Sequence, residues 1–168
     1  MPIYTGVGSR STPHDILQLM ANIAVYLAEQ NWVLRSGAAD GADRAFEKGC
    51  DYAKGIKEIY LPWKDFNASP SKLYPPTKEA FDLASTIHPA WPKLKMGAKK
   101  LHARNTYQVL GWYLDKPSDL LICWTEEGKD IGGTATALKL ARQHGIRIIN
   151  LATEQFNFEE WSGYESKD

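Results

Sequence analysis

The chain reads as an α/β domain: an open, mainly parallel sheet of about five strands with helices on both faces. Three observations predict it. Short β-prone runs alternate with amphipathic, helix-length segments over most of the 168 residues, as in a sheet whose crossovers are helices. The run at residues 119–124 is continuously apolar through Leu120, Leu121, Ile122 and Cys123, as a strand covered on both faces must be. Glycine-rich segments follow the first, second and fourth runs, where strand-to-helix loops belong.

The elements follow in order. Residues 3–7 form a first strand ending in Gly6-Val7-Gly8-Ser9-Arg10. Thr12 is the expected cap of the next helix, with Pro13 at its first position and Asp15 in the first turn, where a carboxylate suits the helix dipole. Ile16, Met20, Ile23, Ala24 and Leu27 recur at helical spacing and define its buried face. Residues 32–35 are the second strand. The helix that follows carries Ala42, Ala45, Phe46, Gly49 and Ala53 on one side. Residues 58–61 are a short third strand and 147–151 the last; 119–124 is a strand buried on both faces, and the switch point that the alternation implies puts the first strand centrally, between the second and this one. Gly132-Gly133-Thr134 opens the helix between residues 119–124 and 147–151, and Gly145 closes it at the usual left-handed position.

One stretch breaks this rhythm. Residues 62–96 hold six of the nine prolines together with Trp63, Phe66, Tyr74 and Trp91, interrupted by a helix near residues 77–86. Long insertions in compact domains are functional or disordered, and this aromatic content favours an ordered flap or an oligomer contact. The acidic tail after Phe158 reads as frayed. The whole chain, 1–168, is expected to form one domain.

Composition narrows the function. Twenty basic and twenty acidic residues cancel, which disfavours a dedicated DNA binder. Cys50 and Cys123 sit in apolar patterns and read as two buried thiols, not a disulfide or metal pair. His14, His88, His102 and His144 show no ligand spacing, so no metal is expected. No serine has the setting of a nucleophile elbow. The start, Met1-Pro2-Ile3-Tyr4, lacks the marks of a secretory leader, and no run approaches the apolar length of a membrane span; the expectation is a cytoplasmic protein without a membrane partner.

Three segments carry candidate chemistry. Around Gly6, Gly8, Ser9 and Arg10, small residues let the backbone approach an anion near the positive end of a helix, although Ser11 fills the third glycine position of the dinucleotide fingerprint. Ser36-Gly37-Ala38-Ala39-Asp40-Gly41-Ala42-Asp43 leaves room above the sheet edge and is expected to place Asp40 and Asp43 in the first turn of the second helix. Either carboxylate also fits a purely local capping role. Gly132-Gly133-Thr134 offers backbone donors and a hydroxyl to a phosphate. All three loops would border one carboxyl edge of the sheet. Trp124, at the end of the central strand, is the aromatic placed nearest a ligand base, with core packing as the alternative.

Taken together, Tyr4-Thr5-Gly6-Val7-Gly8-Ser9-Arg10, the segment from Ser36 to Asp43, Ala103-Arg104-Asn105 and Gly132-Gly133-Thr134 resemble the motifs of the SLOG superfamily. This Rossmann-like group includes the Lonely Guy phosphoribohydrolases and the DNA-processing protein DprA. The resemblance runs from residue 4 to about residue 150 and implies a phosphate-bearing nucleotide among these motifs. It adds Arg104 and Asn105 to the candidate site. It also implies a homo-oligomer and no separate cofactor.

Where the Lonely Guy enzymes carry a glutamate after the glycine-rich loop, this chain has Ala137. The expected function is therefore binding of a phosphorylated nucleotide or nucleotide-derived small molecule, as sensor, carrier or sequestering protein. One alternative is a nucleotide N-glycosidase, with Glu126, Glu127 or Asp130 supplying the carboxylate that glycosidic cleavage requires. The other is DprA-like binding of single-stranded DNA through Lys93, Lys95, Lys99, Lys100 and Arg104, a run without an acidic residue that equally suits a solvated helix face.

Overall fold

A computed structural model describes residues 1–166. Five strands form one wholly parallel sheet: β1 (Ile3–Gly6), β2 (Val33–Ser36), β3 (Ile56–Ile59), β4 (Leu120–Cys123) and β5 (Arg147–Asn150). Their order is β3-β2-β1-β4-β5, so β1 is central, with Thr5 registered on Arg35 of β2 and on Leu121 of β4. The chain leaves β1 in one direction across the sheet and returns to its other side at β4. The strand order therefore reverses beside the carboxyl end of β1, where open α/β sheets leave a crevice.

Helices cover both faces. On one, α1 (His14–Glu29) packs against α2 (Ala42–Tyr52). On the other, α4 (Met96–Leu110) packs between α3 (Lys78–Ile87) and α5 (Ala135–Gln143). The period of two in a strand divides the core accordingly. Leu120 and Ile122 join Met20, Ile23, Leu27, Leu34 and Phe46 under α1 and α2. Leu121 and Cys123 join Val109, Leu138 and Leu140 under α4 and α5. Cys50 and Cys123 are both free and buried, one in each core.

Local expectations fare unevenly. Gly145 does close α5 with φ +64°: its amide bonds the Arg142 carbonyl and the Ile146 amide reaches back to Ala141, the paired bonds of a Schellman motif. Thr77 caps α3 by accepting from the Ala80 amide. Thr12, by contrast, does not cap α1, which starts at His14 after Pro13; its hydroxyl donates to the Ser9 carbonyl and closes the β1–α1 loop on itself.

The insertion is ordered. Phe66 is buried, Tyr60 bridges Leu73, and the Phe81 and Trp91 rings meet edge to face. The tail is packed on the fold as far as it is described: Trp161 is buried against Trp32, and Tyr164 stacks on Trp32 at 5.0 Å. Aromatic area outweighs acidic charge in this segment, and one of its carboxylates, Glu160, is paired with Arg147. Among the described residues, no helix is long and apolar enough to cross a membrane.

Candidate functional site

A cavity of about 380 Å³ opens at the switch point, a volume within the range of small-molecule sites. Four parts of the chain wall it. The β1–α1 loop contributes Val7, Gly8, Ser9 and Arg10; the β2–α2 connection contributes Ala39 and Asp43. The segment after β4 supplies Ile131 to Thr134, with Ala137 behind it on α5. The fourth wall is α4, which presents Ala98, Leu101, His102, Arg104, Asn105 and Gln108.

Arg104 is the central group. It is only 4% exposed. Its Nη1 donates to the carbonyls of Gly37 and Tyr60, and its Nε to Asn105 Oδ1 at 2.9 Å. Nη2 has no acceptor among the described residues. The Phe66 ring lies 5.4 Å beneath the guanidinium, so the insertion furnishes part of the support for the site. Asn105 in turn donates through Nδ2 to the Gly133 carbonyl at 2.8 Å, tying α4 to the glycine loop after β4. Burial lowers the Arg104 pKa to about 10, opposed by Asp43 and reinforced by Arg10. The group is a cation throughout the physiological range.

Asp43 lies across the cavity in the first turn of α2 and is also 4% exposed. Its Oδ2 accepts from the Ala39 amide at 3.2 Å, and the Gly37 amide also favours the carboxylate. Burial nevertheless raises its pKa to about 6, against the pull of Arg104. His102 reaches Thr136 Oγ1 through Nδ1 at 2.8 Å. Burial, then His88, then Arg104 lower its pKa to about 4, so it is a neutral imidazole at pH 7.

The glycines divide by task. A Cβ on Gly37 would lie 2.1 Å from Gln108 Nε2 and 2.6 Å from Arg104 Nη1, so the missing side chain makes room for the arginine. At Gly6 it would enter the Phe46 ring, and at Gly8 it would meet Ala42 and the Trp124 backbone; both serve close packing of the α2 end. Gly41, with φ +85°, sits against the Ser9 and Arg10 backbone, where the first two loops touch. At Gly132 and Gly133, by contrast, a Cβ would meet open space, on the cavity side of the β4 loop.

Of the sequence-derived candidates, the cavity brings together Gly8, Ser9, Arg10, Asp43, Arg104, Asn105, Gly132, Gly133 and Thr134. Gly6, Ser36 and Gly37 stand one layer behind; Ser36 donates its hydroxyl to the Gly6 carbonyl and locks β2 to β1. Asp40 is outside. It precedes the Gly41 turn, is exposed, and stands 3.9 Å from Arg44, whereas Asp43 turns inward. Trp124 is not in the wall either; it packs on the core below α1 and α2.

Glu126, Glu127 and Asp130 also lie outside the wall, with Glu127 paired to Lys129 and Asp130 held in two hydrogen bonds by Arg142. The basic run is split: Lys93 and Lys95 are exposed, while the Lys99 ammonium sits 5.6 Å over Trp91.

Sequence spacing missed His102, Leu101, Ala98 and Gln108. The signal was present, since 98, 101, 105 and 108 trace one face of a helix through Asn105. Spacing also separated His88 from His102, whose rings the fold brings to 4.5 Å. No group of three or more metal-ligating side chains forms among the described residues.

No family model matches the chain, and no curated protein sequence matches it. Solved structures do. The molybdenum cofactor carrier protein of Chlamydomonas reinhardtii aligns over 92% of this chain and 79% of its own, with 20% identity and a TM-score of 0.50. A second structure of that carrier aligns over 91% and 77%, with 19% identity and a TM-score of 0.50. DNA processing protein A of Streptococcus pneumoniae aligns over 93% of this chain and 62% of its own, at 16% identity and a TM-score of 0.42. At such identities the likeness speaks to the fold, and the chain has the five-stranded, Rossmann-like parallel α/β fold.

Proposed function

We propose that the chain binds a phosphorylated nucleotide or nucleotide-derived small molecule in the switch-point cavity, as a sensor, carrier or sequestering protein of the SLOG type. The observation that carries this is the Arg104 guanidinium, buried in the wall with Nη2 left without a protein acceptor among the described residues. Arg104 lines the cavity, so this nitrogen is a ready donor to an anion that enters it, and phosphate oxygens are the natural partner of a guanidinium. Arg10 adds a second cation at the mouth. The open space at Gly132 and Gly133 leaves room for a phosphate at the first amides of the α5 turn, which have no intrahelical acceptor. A fold neighbour named as a cofactor carrier is in keeping with small-molecule binding.

Calorimetric titration with AMP and GMP tests this. Arg10 is exposed and outside the packing, so Arg10→Ala is expected to weaken binding by about 1.5–3 kcal/mol, roughly 10- to 150-fold, with an unchanged melting temperature. Arg104→Ala is expected to weaken it as much, but it also strips the Gly37 and Tyr60 carbonyls of a donor, so a melting curve accompanies it. Unchanged affinity in both variants removes the arginines from the site.

A second reading, hydrolysis of the N-glycosidic bond, rests on Asp43. It is the carboxylate that lines the cavity, and a pKa of about 6 suits a base near neutrality. Water would attack C1′ and pass its proton to Asp43 as the C1′–N bond breaks, the leaving base taking a proton from solvent and Asp43 then returning its own to solvent. Chromatography of the same AMP and GMP mixtures decides. Free base released at about 1 s⁻¹ or faster would establish turnover; release far below that rate favours binding alone.

A further inference from the structure

Two opposite charges are buried in this cavity without being paired to each other. Arg104 and Asp43 line the same space, are each 4% exposed, and feel one another's field. No ion pair joins them among the described residues, because each is held back by its own backbone: Arg104 by the Gly37 and Tyr60 carbonyls, Asp43 by the Ala39 and Gly37 amides. The guanidinium thereby keeps a free Nη2. The carboxylate has about four lone-pair sites and two backbone donors, and no side-chain donor among the described residues reaches it. One cavity therefore offers an unfilled cation and an unfilled acceptor.

Resting on the reading above, we propose that the ligand class is a ribose-bearing monophosphate and that Asp43 selects it by accepting hydrogen bonds from the sugar hydroxyls. A phosphate meets Arg104 Nη2, Arg10 and the open glycine loop. The sugar hydroxyls of the same ligand donate to Asp43. A chain of phosphates would carry its further negative charges toward the buried carboxylate, and like charges at close range repel. A DNA strand has no 2′-hydroxyl, and its 3′ oxygen is esterified, so it brings Asp43 no donor. Part of the remaining wall is apolar. Ala98, Leu101 and the half-exposed Ile131 frame the mouth, where the flat face of a base can lie without its edge being read.

The test is calorimetry at pH 7.5 on the intact chain with AMP, 2′-deoxyAMP, 2′,3′-dideoxyAMP and inorganic phosphate. Wild type is expected to bind AMP at least about tenfold more tightly than the dideoxy analogue, with the 2′-deoxy compound between them. Asp43→Asn keeps an oxygen for the Ala39 amide but loses the charge. It is expected to reduce the preference to about threefold or less while binding inorganic phosphate at least as well as wild type. The wild-type ratio decides even if the variant folds poorly. Equal affinity for AMP and the dideoxy analogue overturns the sugar-selecting role and leaves the phosphate site standing. Displacement of AMP by a short oligo(dA) strand likewise overturns it. Absence of heat with all four probes overturns both this proposal and the site on which it rests.

Discussion

Asp43 and His102 show how one cavity wall makes opposite demands on protons. Burial lifts Asp43 from 3.8 to about 6, more than Arg104 and the two amides pull it down. Between those values the folded chain holds more protons on this group than the unfolded chain does. Its contribution to stability is therefore complete below about pH 3.8 and is lost as pH rises through about 6. His102, lowered from 6.5 to about 4 by burial, His88 and Arg104, does the reverse: its contribution is present above 6.5 and is lost as pH falls through about 4. The two offset each other in the wild type between pH 4 and 6, so the informative quantity is a difference. Relative to wild type, Asp43→Asn is expected to gain up to about 3 kcal/mol between pH 4 and pH 7, measured by urea unfolding at both values. A flat difference curve would mean that Asp43 is not held in a desolvated setting.

At the scale of elements, the loops after β1, β2 and β4 look alike in sequence yet meet different physical requirements. Gly37, at the end of β2, is a packing glycine. Its Cβ would press on two side-chain ends that are themselves buried, Gln108 and Arg104. Gly37→Ala is expected to cost about 1–3 kcal/mol by overcrowding and to weaken AMP binding as well, because the guanidinium must move. Gly133, before α5, faces open space. Gly133→Ala is expected to stay within about 0.5 kcal/mol of wild type by thermal melting. Equal destabilisation of the two variants would contradict this division. Helix α4 is the element whose role is easiest to underrate, since its residues 98, 101, 105 and 108 form a whole wall while its last turns are buried in the core.

For the molecule as a whole, the segment after β5 is part of the fold. Trp161 lies edge-on to Trp32 at 5.9 Å, under the Arg147 guanidinium, while Tyr164 and Ser166 reach back to Asp119 beside β4. Asp119 also accepts from the Ile3 amide through Oδ2, so this segment joins the amino ends of β1 and β4 far from the cavity. Trp161→Ala is expected to cost about 3 kcal/mol or more. Trp161→Phe should cost distinctly less, because the indole N–H it deletes is buried without an acceptor among the described residues. Chemical denaturation of the two variants checks the order; an alanine variant as stable as wild type would show the segment to be dispensable.

Whatever depends on neighbours along the chain is legible in the sequence itself. Strand-helix alternation, the apolar run of β4, the glycine loops and the Gly145 stop follow from backbone preference and hydrophobic period, and each stands where the pattern puts it. The order of β1 between β2 and β4 belongs here too, since parallel crossovers and a switch point leave few arrangements. What depends on distant partners is not legible. Asp40 and Asp43, three residues apart, part company because Gly41 turns between them and Arg104, on α4, fills the room that Gly37 leaves. That the proline-rich insertion supports the site is not legible until Phe66 is seen beneath Arg104, and the acidic tail reads as loose until its tryptophan meets Trp32. Pattern and propensity act over a turn or a strand. Which side chains share a cavity is decided by burial and packing between segments tens of residues apart, and only the folded chain brings those together.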